Sequence, residues 1–540
     1  MLDSLRNTMV EMDELSTASG LLRAALDRYL SACFDIRKDY NQENIVGSVP
    51  LGLTDRVTSE LLLVTSYEAK IQQAKAAICV LRNYIPTITP INTLPTEILA
   101  HIFELVVCLH HPNTKGKQSH SQTTKPPEYP IYLSRVCSRW RQVAIGASAL
   151  WSHIYFSSTQ SLNQKFLAQT NIHIARGGQW PLNVHIIDPY YPDRPLSEAI
   201  PSLVRFLAPL ATRIKFLDLE LGLNDIGCGF NRSILSRCFS NCIPGTLTQL
   251  SIRNRGSYSF IKAAEDSYSP GTLFLDLPKQ HLEDVWLSVT TLQLRGYYPY
   301  WTSKIYHGLV ELRLSFFKAA SISEQQLVEI LKSSPRLRIF ELGISITDPL
   351  PANSSIIPVP LNNLEILISR ETRRNELGSF LRLLAPGTKP LRMSIVNPYD
   401  YGFQNAGFCL VRIQNFFSRS NVTHLHVASL NGYSQTLNLF RMVPSLRVLV
   451  LSEFKGGSMG EIDLDNNTSL DSLCIQCSSG LKLNELQRFV ARYRVQTLLL
   501  WRCTFDDGEV LDPDRLDLYN FCPVVKCLPF KELDPFDQWD

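Results

Sequence analysis

No apolar run in this chain is long enough to cross a bilayer, which takes roughly 20 residues. The most apolar helical candidate, Ile98 to Leu109, spans about a dozen positions and already contains His101 and Glu104. Excess charge of one sign is also scarce. Against 53 Lys and Arg stand 50 Asp and Glu, a net charge of +3, so a general nucleic-acid binder, which needs clustered cations to displace counterions, is not expected. Phosphate-cradling G-x-x-x-x-G-K-[ST], G-x-S-x-G and H-E-x-x-H are all missing, and no pair of carboxylates presents an acid/base motif. Neither an enzyme nor a cofactor is expected. The amino terminus lacks a cationic stretch leading into an apolar core, and the 13 cysteines are scattered, so a reducing cytoplasmic or nuclear setting is expected, with no membrane partner.

What the 540 residues do contain is ordinary globular material, 45% hydrophobic and 19% charged, enough for several domains or one repeat array. In the first segment, residues 1–86, Val57, Val64, Ile71, Ile78 and Ile85 recur every seventh position, with Tyr67, Ala74 and Leu81 on the companion seam and Glu60 interrupting it. Upstream, Leu15, Leu22, Leu26, Tyr29, Cys33 and Ile36 form a second stripe, and Gly47, Pro50 and Gly52 supply a turn between the two. Such stripes make helices with one adhesive face. They can close as an antiparallel hairpin, dock on the following domain or associate between chains. Pro86 and Pro90 end the second helix, because proline cannot donate to it.

From about residue 158 to 503 the signature L-x-x-L-x-L recurs nine times, for example at Leu247/Leu250/Ile252, Leu309/Leu312/Leu314, Leu446/Leu449/Leu451 and Val495/Leu498/Leu500. The last four middle anchors, at 425, 449, 473 and 498, are spaced within the leucine-rich-repeat period. Helical stretches precede several strands, at Gln326 to Leu331, Ser379 to Leu384, Thr436 to Met442 and Glu485 to Tyr493. The unit is helix, turn, strand, and stacking such units predicts an α/β solenoid. Leu364/Leu367 and Leu391/Ile395 fit poorly, with Ser369 and Ser394 where apolar anchors are expected.

Between these parts, residues 87–157 carry Leu94-Pro95-Thr96-Glu97-Ile98-Leu99-Ala100-His101-Ile102-Phe103, then Val136-Cys137-Ser138-Arg139-Trp140-Arg141, then Leu150-Trp151. Pro95 suits a first helical position and Glu97 the electropositive first turn, which predicts a helix from about 95 to 108. Ile98, Leu99, Ile102 and Phe103 form a stripe broad enough to face both a core and an outside partner. These residues resemble an F-box, and the wider order of helical segment, F-box and degenerate leucine-rich repeats resembles the expanded fungal F-box proteins. That resemblance implies a substrate receptor of an SCF-type ubiquitin ligase. It implies docking on a Skp-family adaptor, and through it on a cullin-RING ligase, by Leu94, Pro95, Ile98, Leu99, Ile102, Phe103, Val136, Cys137 and Trp140, while the repeats bind a target protein. Leu150 and Trp151 are expected to lock the motif to the first repeat. The insertion at 109–130 departs from a compact F-box and reads as a surface loop.

Other clusters have plainer readings. Cys108, His110, His111 and His120 match no closed zinc spacing. Cys474 and Cys477 form a lone CxxC inside a repeat, read as core packing. His424 and His426 flank Leu425 and are expected on the strand face opposite it. The matches at Asn231 and Asn421 to a glycosylation acceptor carry no weight without secretion. Tyr297, Tyr298, Tyr300, Trp301 and Tyr306 lie between two repeats, as target-binding anchors or as rings covering an irregular junction. The segment 504–540 holds ten acidic side chains against Arg515, Lys526 and Lys531, an acidic cap or tail that includes Phe530, Phe536 and Trp539.

Overall fold

The computed structural model describes residues 2–42, 52–85, 87–109, 129–157, 160–187, 207–208, 210–221, 228–254, 260–266, 272–315, 320–349, 357–370, 376–396, 410–430, 436, 440–455, 469–505 and 518–528. Most of the insertion (110–128), Gly47, Pro50, Pro86, His110, His111, His120, Phe530, Phe536 and Trp539 lie outside the described residues. The chain divides into two units, Met1–Thr93 and Leu94–Asp540.

The first unit consists of α1 (Leu2–Gln42) and α2 (Leu53–Tyr84), followed by a 3-10 turn over Pro90–Thr93. Gly52 precedes α2 at φ 89°, a left-handed conformation that glycine adopts without steric cost. Past Tyr84 the helix cannot continue into Pro86, and its open carbonyls are taken up locally: Thr89 Oγ1 and Asn92 Nδ2 both donate to the Asn83 carbonyl, at 3.0 and 2.9 Å. The Tyr29 hydroxyl donates to Glu60 at 2.8 Å, joining α1 to α2. Glu60, an apparent flaw in the seam, is thus the acceptor for Tyr29. That bond, ahead of all other causes, pushes the Tyr29 phenol up to about 12. The apolar stripes stay open, with Leu22, Leu26, Val57, Val64, Ile71 and Ile78 between 37% and 58% exposed.

The second unit is mixed α/β. It begins with α3 (Thr96–Leu109), α4 (Tyr129–Val136) and α5 (Ser138–Gly146), then a 3-10 turn at Ser148–Trp151. Among the described residues a parallel sheet of 14 strands follows, with three smaller sheets beside it, and its spatial order is its chain order. The strands are β1 (His153–Ser157), β2 (Leu182–Ile187), β3 (Ile214–Leu221), β4 (Gln249–Asn254), β5 (Thr291–Arg295), β6 (Glu311–Ser315) and β7 (Ile339–Leu342). They continue with β8 (Ile366–Arg370), β9 (Leu391–Val396), β10 (Val422–Ala428), β11 (Val448–Ser452), β12 (Ser472–Gln476), β13 (Thr497–Trp501) and β14 (Val524–Leu528). The sheet therefore continues past residue 503 into the acidic segment.

Period-two alternation explains the register. The middle anchors Leu217, Leu250, Leu292, Leu312, Phe340, Leu367, Met393, Leu425, Leu449, Leu473 and Leu498 are consecutive Cα partners from β3 to β13. All are fully buried in one continuous core, where truncating one such leucine to alanine costs about 2–5 kcal/mol. Helices cover that core, among them α6 (Gln160–Gly177), α7 (Cys228–Ser240), α8 (Lys279–Trp286), α9 (Glu324–Ser333), α10 (Glu376–Leu381), α11 (Leu410–Ser418) and α12 (Leu483–Arg492). Ser323 starts α9 with a capping box, its hydroxyl accepting from the Gln326 N–H while Gln326 returns a bond to the Ser323 N–H.

Two sequence expectations shift. In β9 the anchors are Leu391, Met393 and Ile395, so Ser394 faces the other side of the sheet, and the register with β10 passes over Thr423 between the Leu391/Val422 and Arg392/His424 pairs. The helix expected at Ser379 to Leu384 ends at Leu381, and Leu384–Pro386 instead pairs in parallel with Val359–Leu361. Gly296, at φ 89°, follows β5 where its Cα closes on the Asn254 carbonyl; any Cβ there would collide with it.

Candidate protein-docking site

The helices α3, α4 and α5 build a small core of Leu99, Phe103, Val107, Leu133, Val143, Ala144, Leu150 and Trp151. The chain turns from α4 into α5 at Cys137, which is extended (φ −155°, ψ 172°) and whose Sγ accepts the Trp140 N–H at 3.4 Å. Cys137 is thus the cap between two short helices. Arg139 Nη2 donates to the Leu94 carbonyl at 2.6 Å, and Arg141 Nε donates to the Ser134 carbonyl at 2.9 Å. The Phe103 and Trp140 rings meet with centroids 4.8 Å apart.

These contacts divide the expected docking residues into two groups. Leu99 and Phe103 are buried and hold the helices together; Leu94, Ile102, Cys137 and Trp140 are half-buried. Pro95 is exposed, and Ile98 and Val136 are 50% and 59% exposed. Leu105 and Tyr132, each 50% exposed, extend the apolar surface. Sequence reasoning missed both, yet Ile98, Ile102 and Leu105 follow the i, i+4, i+7 rule for one helix face, so the signal was present. Arg139 and Arg141 were missed because their partners are backbone carbonyls, which no side-chain pattern announces.

Trp151 is buried at the junction with the sheet. Its Nε1 donates to the Ala144 carbonyl at 2.6 Å, the Arg176 guanidinium lies 4.3 Å over its ring, and the His173 ring meets it edge-on at 5.1 Å. His173 Nδ1 donates to the His153 carbonyl at 2.8 Å. Burial, aided by Arg176, holds the His173 imidazole down to about 4, so the ring is neutral.

The aromatic run behaves differently from an exposed target-binding cluster. Tyr297, Tyr298, Trp301 and Tyr306 are buried in the core, and only Tyr300 is exposed. The Tyr298 hydroxyl donates to the Ser315 carbonyl at 2.6 Å, Trp301 Nε1 to Ser321 at 3.1 Å and the Tyr306 hydroxyl to Pro299 at 2.9 Å. Large rings fill the wide turn between β5 and β6; three of their polar tips find carbonyls, and the Tyr297 hydroxyl accepts from Asn231 Nδ2. Tyr300 packs on Phe260 and carries Lys262 over its ring at 4.1 Å.

On the sheet face opposite the main core, charged side chains of β3 to β8 pair with one another. Arg253 reaches Asp218 at 3.2 Å, and Glu341 receives both Arg313 and Arg370. Burial works against ionisation of Asp218, but Arg253 and the hydrogen bonds from His185 and Ser251 outweigh it and hold the carboxyl at about 2. Farther along, His426 sits between Ser394 at 2.8 Å and Ser452 at 2.6 Å. Both His424 and His426 lie opposite the Leu425 side, as alternation requires. Among the described residues no group of three or more His, Cys, Asp and Glu could hold a metal ion, and no helix is long and apolar enough to cross a membrane. No protein-family model matches this chain, and a search of curated proteins finds no match.

Proposed function

We propose that this chain is a substrate-recognition subunit of an SCF-type cullin-RING ubiquitin ligase, acting in the cytoplasm or nucleus and carrying no catalytic centre of its own. In this reading α3 to α5 are an F-box that docks on a Skp-family adaptor. The strand and helix units that follow are degenerate leucine-rich repeats, stacked as a solenoid that selects the target protein. One observation carries the proposal: Ile98 and Val136 are 50% and 59% exposed beside a core that already buries Leu99 and Phe103. Aliphatic side chains left open on short helices, with Pro95, Ile102 and Leu105 around them, are the expected footprint of a partner; each fully buried anchor is worth roughly 1.5 to 3 kcal/mol. The sequential order of the parallel strands supports the repeat reading.

Co-purification with a Skp-family adaptor tests it. Wild type is expected to retain the adaptor and Ile98→Glu/Val136→Glu to lose it with an unchanged melting curve, because both sites are at the surface. Equal retention, or none by either protein, removes the proposal. A ligase-independent scaffold is the second reading, favoured by the open apolar stripes of α1 and α2; it predicts stable partners whose abundance does not change when the proteasome is blocked.

A further inference from the structure

A cleft of about 830 Å³ opens where the chain enters strands β9 to β12. Pro390, Asn421, His424, Arg447, Ser469 and Asp471 are among its walls. Backbone bonds fix the order of these side chains: the Arg447 N–H donates to the Thr423 carbonyl and the Asp471 N–H to the Arg447 carbonyl, each at 2.8 Å. Arg392 is the Cα partner of His424 on the neighbouring strand. Thus two guanidinium groups flank one half-buried imidazole.

Two cations just ahead of strands β7 and β9 are already neutralised. Arg338 and Lys389 both hold Glu365, at 2.7 and 3.2 Å. Arg392 and Arg447 differ, since among the described residues neither makes a hydrogen bond or an ion pair through its side chain. Arg447 and Asp471 line the cleft and Arg392 stands on the adjoining strand beside His424, so the three together leave a single net positive charge. A dianion would face Asp471, whereas one carboxylate balances the site. Ser445 and Ser469 add hydroxyls at the rim.

We propose that this cleft receives a carboxylate side chain from an extended segment of a protein partner, held between the guanidinium groups of Arg392 and Arg447. The inference does not depend on the adaptor reading. His424 supplies an internal reporter. Burial first, and then Arg392 and Arg447, hold its imidazole below the usual range, while Asp471 opposes them. A bound carboxylate offsets the arginines, so the imidazole titrates higher in the complex and binding tightens as pH falls through that range.

The test is fluorescence anisotropy on the full chain with a short fluorescein-labelled Glu/Ser peptide, its Gln/Ser counterpart, and inorganic phosphate as competitor. The Glu peptide is expected to bind at least about tenfold more tightly than the Gln peptide. Arg392→Gln/Arg447→Gln should remove that preference while leaving the circular dichroism melt unchanged, and phosphate should displace the peptide poorly. In histidine-labelled protein the His424 resonance should titrate higher with the Glu peptide present. Equal affinity for both peptides, no binding of either, an unaltered double variant, or ready displacement by phosphate would each overturn the proposal.

Discussion

Arg139 Nη2 lies 2.6 Å from the carbonyl oxygen of Leu94, so the side chain of α5 pins the residue that leads into α3. A guanidinium donating to a carbonyl is a charge-assisted bond, and here it sets where the exposed face of α3 begins. Replacing it with Arg139→Met, which keeps the aliphatic stem, should cost about 1–2 kcal/mol in a urea titration. Adaptor retention should weaken with it, since Pro95 and Ile98 follow directly on Leu94. Unchanged stability would mean that the bond is incidental.

Trp151 ties α5 to α6 through one hydrogen bond, to the Ala144 carbonyl, and one cation over its ring, Arg176. Trp151→Phe keeps most of the buried area but loses the indole N–H, leaving the Ala144 carbonyl without that donor; a loss of about 1–3 kcal/mol is expected by chemical denaturation. Trp151→Ala should cost about 3–5 kcal/mol. If the two variants unfold at the same denaturant concentration, the N–H and not the ring carries the contact.

His173 sets a pH dependence. Its folded-state value of about 4 lies below the ordinary 6.5, so the fold prefers the neutral ring, and among the described residues the buried Nε2 has no acceptor for the N–H that protonation would create. The stabilisation is complete above pH 6.5 and is lost as pH falls from 6.5 toward 4. Urea midpoints measured across that window should fall in the wild type, and His173→Gln should flatten that part of the curve. The same slope in both proteins would assign it to another group.

Glu324 is fully buried and receives Arg382 at 2.6 Å, with Arg382 itself 14% exposed. Such a pair is costly to break and cheap to replace as a whole. Glu324→Ala should destabilise by about 3–5 kcal/mol, whereas Glu324→Met/Arg382→Met should recover most of that loss. Thermal melts of both variants check this, and a double variant no better than the single would show that the ions have further essential partners.

The ladder of buried leucines was legible because period-two alternation leaves a direct trace: Leu425, Leu449, Leu473 and Leu498 were expected as anchors and are consecutive partners in the sheet. Ser394 misled because β9 goes from Leu391 to its middle anchor Met393 in two steps where the repeat template takes three; the extra residue of that register is Thr423, on β10. The Cys137 thiol, expected as an adaptor contact, also caps α5, a role more often filled by Ser, Thr, Asp or Asn. The aromatic run showed residue type and not direction. Tyr300 alone is left outside, because the turn after β5 folds the other rings inward. On α3 the stripe was visible, but which of its members face inward depends on where α5 crosses it.

Strand order that equals chain order has a consequence for how the sheet comes apart. Each strand is bonded only to those immediately before and after it, so peeling β14 from β13 exposes an edge like the one just removed. Amide exchange should therefore fray from the β14 end toward the middle in successive steps, with β6 to β9 the slowest to surrender their protons.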